Sequence, residues 1–274
     1  MPEVVTLLPM AALLMAIGGV AGVMAGLLGV GGGIVLVPGF FYVFAAMGYD
    51  SPWLMQICLA TSLATIIVTS GRSVMGHHRR GAVDWAVLRG FAPGIALGAV
   101  IGMLTVSVLS SVILQAIFGV LAVAVGLFMG FGRVTWRLGD LMPTGALRAA
   151  ISSAIGFLSV LMGIGGGSFG VPLMTLYNFT IHRAVATAAG FGVIIAVPSV
   201  IGFLLLDIPP EARPPFTLGV VNLPAFGLVI AMTLLTAPLG VRLAHAMDPK
   251  PLRQVFAVFL VLIALNMLRK AAGF

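Results

Sequence analysis

Charge is scarce in this chain: Asp, Glu, Lys and Arg make up 8% of its 274 residues, against roughly 25% in an ordinary soluble domain. With 61% hydrophobic residues and a mean hydropathy of +1.21, that scarcity excludes a soluble globular fold. No polar segment is large enough for a soluble domain, and the alternation of apolar and polar residues that a membrane β-barrel requires is missing. A single cysteine, Cys58, excludes an intrachain disulfide and a thiolate metal site; inside an apolar run it reads as a small hydrophobe. No Walker A sequence is present, which excludes a built-in ATPase, and no Gly-x-Gly-x-x-Gly lies in a βαβ context. His77 and His78 lack metal-ligand company. No cofactor is implied. Glu3 in place of a basic n-region, with an apolar stretch that runs on past it, argues against a cleaved signal peptide.

What the chain has is apolar runs of helix-spanning length, about 20 residues each, along its whole extent. The expected fold is an all-α polytopic membrane protein with about 8–10 membrane segments. Its formal charge of +7 and pI near 10.8 would suggest nucleic acid in a soluble protein. Here the basic residues sit in short loops between spans, where they set orientation rather than bind nucleic acid.

The chain is organised around a glycine-rich stretch that it contains twice: Gly29-Val30-Gly31-Gly32-Gly33 running to Val37-Pro38, and Gly163-Ile164-Gly165-Gly166-Gly167-Ser168 running to Val171-Pro172. A constant offset superimposes the glycines, valines and prolines. Three adjacent glycines are poor helix formers, so each copy reads as a helix break within the membrane. Residues 1–140 and 141–274 then form two repeats, each opening with a glycine-broken helix hairpin.

The loops decide how the repeats relate. Arg72 to Arg80 is strongly basic, whereas its counterpart Asp207 to Pro215 is Pro-rich and mildly acidic; Arg242 to Arg253 is basic, whereas Val106 to Ser111 carries no charge. If each half holds five apolar segments, the second enters the membrane from the opposite side, and the basic loops fall on one face. The repeats are therefore expected to be inverted, with both termini periplasmic. Asp84 and Asn222 occupy matching positions ahead of apolar runs and read as helix N-caps.

A broken helix in hydrocarbon requires its loose N–H and C=O groups to face protein, water or ligand. With Pro38 or Pro172 in the first turn of each following piece, two half-helix N-termini would converge as an anion site. The candidate substrate-binding residues are Gly31, Gly32, Gly33, Gly165, Gly166, Gly167 and Ser168. Thr61, Ser62 and Thr187, in Ala-Thr-Ser and Ala-Thr-Ala, could line the same cavity or simply permit close helix packing. His182 and Arg183 could be interfacial residues that snorkel, or an access point for the anion with His182 in proton coupling. Ser168 with His182 as base would be the arrangement of an intramembrane serine protease, although the first motif has Ile34 in place of the serine.

The Gly-x-Gly-Gly-Gly-x-x-x-Val-Pro motif in both halves, the following Ala-Thr-Ser and Gly81-Ala82-Val83-Asp84-Trp85 resemble the TauE/SafE family over nearly the full chain. The resemblance implies a multi-pass transporter of the bacterial inner membrane for sulfite, sulfoacetate or a related organosulfur anion. Family members often show Gly-Thr-Ser where Ala188 here removes a hydroxyl. The reading is a secondary anion transporter that works by alternating access and exports its substrate. The membrane potential would drive it, at about 2.3 kcal/mol per charge per 100 mV. The alternatives are an anion channel, a scaffold subunit and the protease. The expected partners are the small anion, the lipid bilayer and a second copy of the chain in a homo-oligomer.

Overall fold

The computed structural model describes residues 4–28, 32–131, 137–246 and 249–273. Gly29, Val30, Gly31 and Arg133 lie outside the described residues, so the candidate Gly31 has no placement. Among the described residues there are ten α-helices, in two series of five: α1 (Val4–Leu28), α2 (Gly33–Ala46), α3 (Leu54–Arg79), α4 (Trp85–Val108) and α5 (Ser111–Phe131), then α6 (Gly145–Leu161), α7 (Gly167–Leu176), α8 (Ile181–Leu205), α9 (Leu223–Ala246) and α10 (Pro249–Ala271). Seven are long and apolar enough to cross a membrane; α2, α6 and α7 are shorter. The protein is an all-α polytopic membrane protein. Its only regular strands among the described residues are the two-residue β1 (Thr217–Leu218) and β2 (Val221–Asn222), a small antiparallel hairpin before α9.

Packing pairs the two series crosswise. α1 lies along α9, and α6, the counterpart of α1, lies along α4, the counterpart of α9. The remaining long helices pair with their own counterparts, α3 with α8 and α5 with α10. Matching glycines bring the crosswise pairs close: a Cβ on Gly22 would fall 2.8 Å from the Thr233 Cα, and one on Gly156 2.1 Å from the Ile95 carbonyl. Such backbone approach is the usual way apolar helices associate where lipid removes the hydrophobic incentive. α3 is the most enclosed of the long helices and α8 follows it, so this pair forms the centre. Leucines and valines on α4, α5, α9 and α10 point outward, as lipid-facing surfaces require.

Both expected N-caps form. Asp84 Oδ1 accepts from the Ala86 and Val87 N–H groups at 3.1 Å each, and Asn222 Oδ1 accepts from Ala225 N–H at 3.0 Å, each satisfying a donor that the first helical turn leaves open.

Two expectations need correction. The basic stretch Arg72 to Arg80 is not a loop, because α3 continues helical through Arg79. His77, His78 and Arg79 complement the negative end of the helix dipole there. The helix stops only where Gly81 adopts φ +66° and the Gly81 and Ala82 N–H groups turn back onto the His78 and His77 carbonyls. Pro38 and Pro172 are likewise not in the first turn. Each is the sixth residue of its helix, because α2 and α7 start at the last glycine of the run. There the missing N–H removes a ladder bond to the Ile34 or Ser168 carbonyl.

Candidate functional site

The second break is complete in the structure. α6 ends in a Schellman turn: Gly163 N–H bonds the Val160 carbonyl at 3.0 Å and Ile164 N–H the Ser159 carbonyl at 2.9 Å. Gly163 sits at φ +59°, a conformation that costs little only for glycine. Gly165 and Gly166 then carry the chain to α7, and everything from Met162 to Ser168 is buried. The first cap bond of α7 runs from Gly170 N–H to the Gly166 carbonyl at 2.7 Å, so the N–H groups of Gly167, Ser168 and Phe169 lie ahead of the helical ladder.

The glycines here are packing sites as well as turns. A Cβ on Gly166 would lie 2.3 Å from the Phe191 Cβ, and one on Gly33 would lie 2.7 Å from the Gly163 carbonyl. The second of these contacts means that α2, just after the first break, abuts the second break. Gly32, the N-cap of α2, is buried against Ala21 of α1.

Ser168, the second residue of α7, is 6% exposed, and its Oγ has no hydrogen-bond partner. Most buried polar atoms have one. Ser159, one turn before the break on α6, is also buried with an unpartnered Oγ. A buried hydroxyl beside three forward-pointing N–H groups at the positive end of a helix is a donor set for an anion.

The neighbouring hydroxyls are placed differently. Ser62 Oγ donates to the Gly163 carbonyl at 2.7 Å, closing α3 onto the break. Thr61 and Thr187 bond elsewhere. The Thr61 hydroxyl accepts from Asn222 N–H at 3.0 Å, and the Thr187 hydroxyl accepts from Asp84 N–H at 2.9 Å. Each threonine therefore holds the N-cap residue of a helix in the opposite series. His182 and Arg183 begin α8 at the surface. Arg183 bonds Asp84 Oδ2 at 2.9 Å and stands over the Phe179 ring, and His182 is within electrostatic reach of His77. With His182 exposed and Ser168 Oγ unpartnered, the serine has no base among the described residues, which removes support from the protease alternative.

One residue absent from the sequence-derived set belongs with the break. Ser70 of α3 is 8% exposed. It fills the space over Gly192 of α8, where an added Cβ would be 2.3 Å from its Oγ, and it lies 3.8 Å from the Cβ position of Gly165. Its signal in the sequence is the spacing Ser62, Thr69, Ser70, Ser73, which puts hydroxyls on one side of a single helix.

The chain matches the family described as sulfite exporter TauE/SafE over residues 14–267. It is 32% identical over 256 residues to a probable membrane transporter protein of Haemophilus influenzae, covering 93% of this chain and 96% of the relative. A probable membrane transporter protein of Methanocaldococcus jannaschii is 26% identical over 274 residues, covering 97% of each chain. A third, from Bacillus subtilis, is 26% identical and covers 93% of this chain and 96% of its own. No solved structure matches. With a family match that spans nearly the whole chain, and a helical membrane architecture that fits it, the protein belongs to the TauE/SafE family and is a multi-pass membrane transporter.

Proposed function

We propose that the protein is a secondary transporter that exports a small sulfur-containing anion, sulfite or an organosulfonate such as sulfoacetate, across the bacterial inner membrane. The observation that carries the anion is Ser168: a buried hydroxyl with no partner, beside the leading N–H groups of α7 and the Gly165–Gly167 backbone. A tetrahedral or pyramidal oxyanion would accept from several of these donors at once, and each bond would be charge-assisted. The sulfur chemistry comes from the family to which the chain belongs.

Alternating access is supported by the crosswise packing of α1 with α9 and α6 with α4, and by the reciprocal Thr61–Asn222 and Thr187–Asp84 joints. Two halves of opposite orientation would interlock in this way. Rocking one half on the other would expose the breaks to each side in turn. The basic ends of α3 and α8 would face the cytoplasm and the termini the periplasm. An inside-negative potential would then favour expulsion of the anion.

The test is flux of labelled sulfite and a panel of organosulfonates in proteoliposomes, with and without an imposed potential. Saturable, potential-sensitive flux competed by a panel member is expected. A non-saturating current would indicate a channel instead, and folded protein that moves none of the panel would end the sulfur assignment.

A further inference from the structure

We infer that the substrate reaches the second break along one face of α3, from a mouth formed by His77, Arg80 and His182, while the corresponding face of α8 is closed. The inference rests on the second break being the substrate site.

At about 100° per residue, Ser62, Thr65, Thr69, Ser70, Ser73 and His77 fall on one side of α3. The contacts show which side. Ser62 bonds Gly163, Ser70 lies against Gly165 and Gly192, and His77 feels the charges of Arg80 and His182 at the start of α8. The stripe therefore runs from the break to the basic surface, along the seam between α3 and α8. Burial falls along it: Ser62 is fully buried, Ser70 is 8% exposed, and Ser73 and His77 are half-buried. Across the seam, Gly192 of α8 has no side chain, and Ser70 packs into the space it leaves.

The other half lacks such a stripe. Aligning Thr187 with Thr61, the equivalent face of α8 reads Ala188, Phe191, Ile195, Ala196, Ser199 and Phe203, all buried. Its one hydroxyl, Ser199, is turned back onto the Ile195 carbonyl at 2.8 Å, and Phe191 stacks on Phe91 at 5.8 Å. Along α3 the Thr65 and Thr69 hydroxyls also turn back onto the Ser62 and Thr65 carbonyls, so the hydroxyls left to this route are those of Ser70 and Ser73. The fixed positive charge at its mouth is Arg80; the α8 face has neither. A positively charged opening onto a low-dielectric passage raises the local concentration of anions and repels cations. Asp84 beside the mouth is paired with Arg183 and so does not oppose this.

The test introduces single cysteines, Ser70→Cys, Ser73→Cys and Ser199→Cys, into the full chain with the buried Cys58 replaced by alanine. Sealed vesicles of each orientation are treated with a membrane-impermeant methanethiosulfonate, in sulfonate and in trimethylammonium form. Ser73→Cys and Ser70→Cys are expected to react from the basic face only and several-fold faster with the sulfonate reagent, while Ser199→Cys stays unlabelled from both sides. If Ser70→Cys fails to fold, Ser73→Cys carries the test. Labelling of Ser199→Cys with Ser73→Cys protected, or faster reaction with the cationic reagent, would overturn the route. Sulfoacetate should slow labelling of Ser70→Cys; one-sided labelling that no organosulfonate slows would keep the route and overturn the organosulfonate assignment.

Discussion

Ser62 on α3 donates its hydroxyl to the carbonyl of Gly163 at 2.7 Å, across 101 residues of sequence. Gly163 is the left-handed residue that ends α6, so its carbonyl points away from any helical partner. Both residues are buried. Without the serine, that buried carbonyl loses this donor. Ser62→Ala should cost about 1–3 kcal/mol, the usual penalty for stranding a buried acceptor. A drop in the thermal midpoint of the detergent-solubilised protein would show it, and an unchanged midpoint would mean the carbonyl finds another donor.

Gly163 itself should tolerate no side chain. Alanine there would meet backbone strain of about 1–2 kcal/mol in the left-handed conformation. Its Cβ would also lie 2.7 Å from Val37 Cγ2 and 2.9 Å from Leu59 Cδ2. Gly163→Ala should therefore lower stability more than Ser62→Ala, whereas alanine at Gly71, whose Cβ position has nothing within 4 Å, should be neutral. Comparing the two midpoints separates the turn requirement from general sensitivity of the membrane helices to added bulk.

The Thr61–Asn222 and Thr187–Asp84 joints make a paired prediction. Thr61→Val and Thr187→Val preserve shape and remove the acceptor, so each leaves one cap N–H without its partner, at about 1–3 kcal/mol. Asp84→Asn should be mild by contrast. Asparagine caps about as well as aspartate and already occupies the equivalent position at Asn222. The Asp84–Arg183 pair that it removes has an arginine side chain 57% exposed, and such pairs contribute little in water. Asp84→Ala, which removes the cap as well, should cost about 0.5–2 kcal/mol. Equal effects of Asn and Ala at position 84 would show that the ion pair, not the cap, is what matters.

The pattern of what the sequence made legible follows from how local each interaction is. The caps at Asp84 and Asn222 and the break at Gly163–Gly167 are properties of a few adjacent residues, and they stand where the composition places them. The length of α3 was not legible, because arginines and histidines signal a surface loop and a charged helix end equally well. The roles of Thr61 and Thr187 were hidden for a different reason: their partners lie 161 and 103 residues away. Ala-Thr-Ser looks the same whether its threonine lines a cavity or holds a distant cap. Ser70 stands out only in the fold, because Gly165 and Gly192 are brought to it by packing rather than by any motif.

Ser168 gives the sharpest separation of stability from function. A buried hydroxyl with no partner costs free energy in the empty protein, so Ser168→Ala should leave the thermal midpoint unchanged or raise it. If the hydroxyl donates to a bound anion, the same substitution removes a charge-assisted bond of about 1.5–3 kcal/mol, which corresponds to a tenfold or greater loss of affinity. The expected signature is a rise of at least about tenfold in the half-saturating substrate concentration for transport, in a protein no less stable than the parent. Ile34 stands at the equivalent position after the first break, and its side chain is 2% exposed. Ile34→Val should trim packing by about 0.5–1.5 kcal/mol and leave affinity alone. Loss of stability without loss of affinity at Ser168 would mean that its hydroxyl serves the fold, and the anion site would then have to be sought at Ser159 or Ser70.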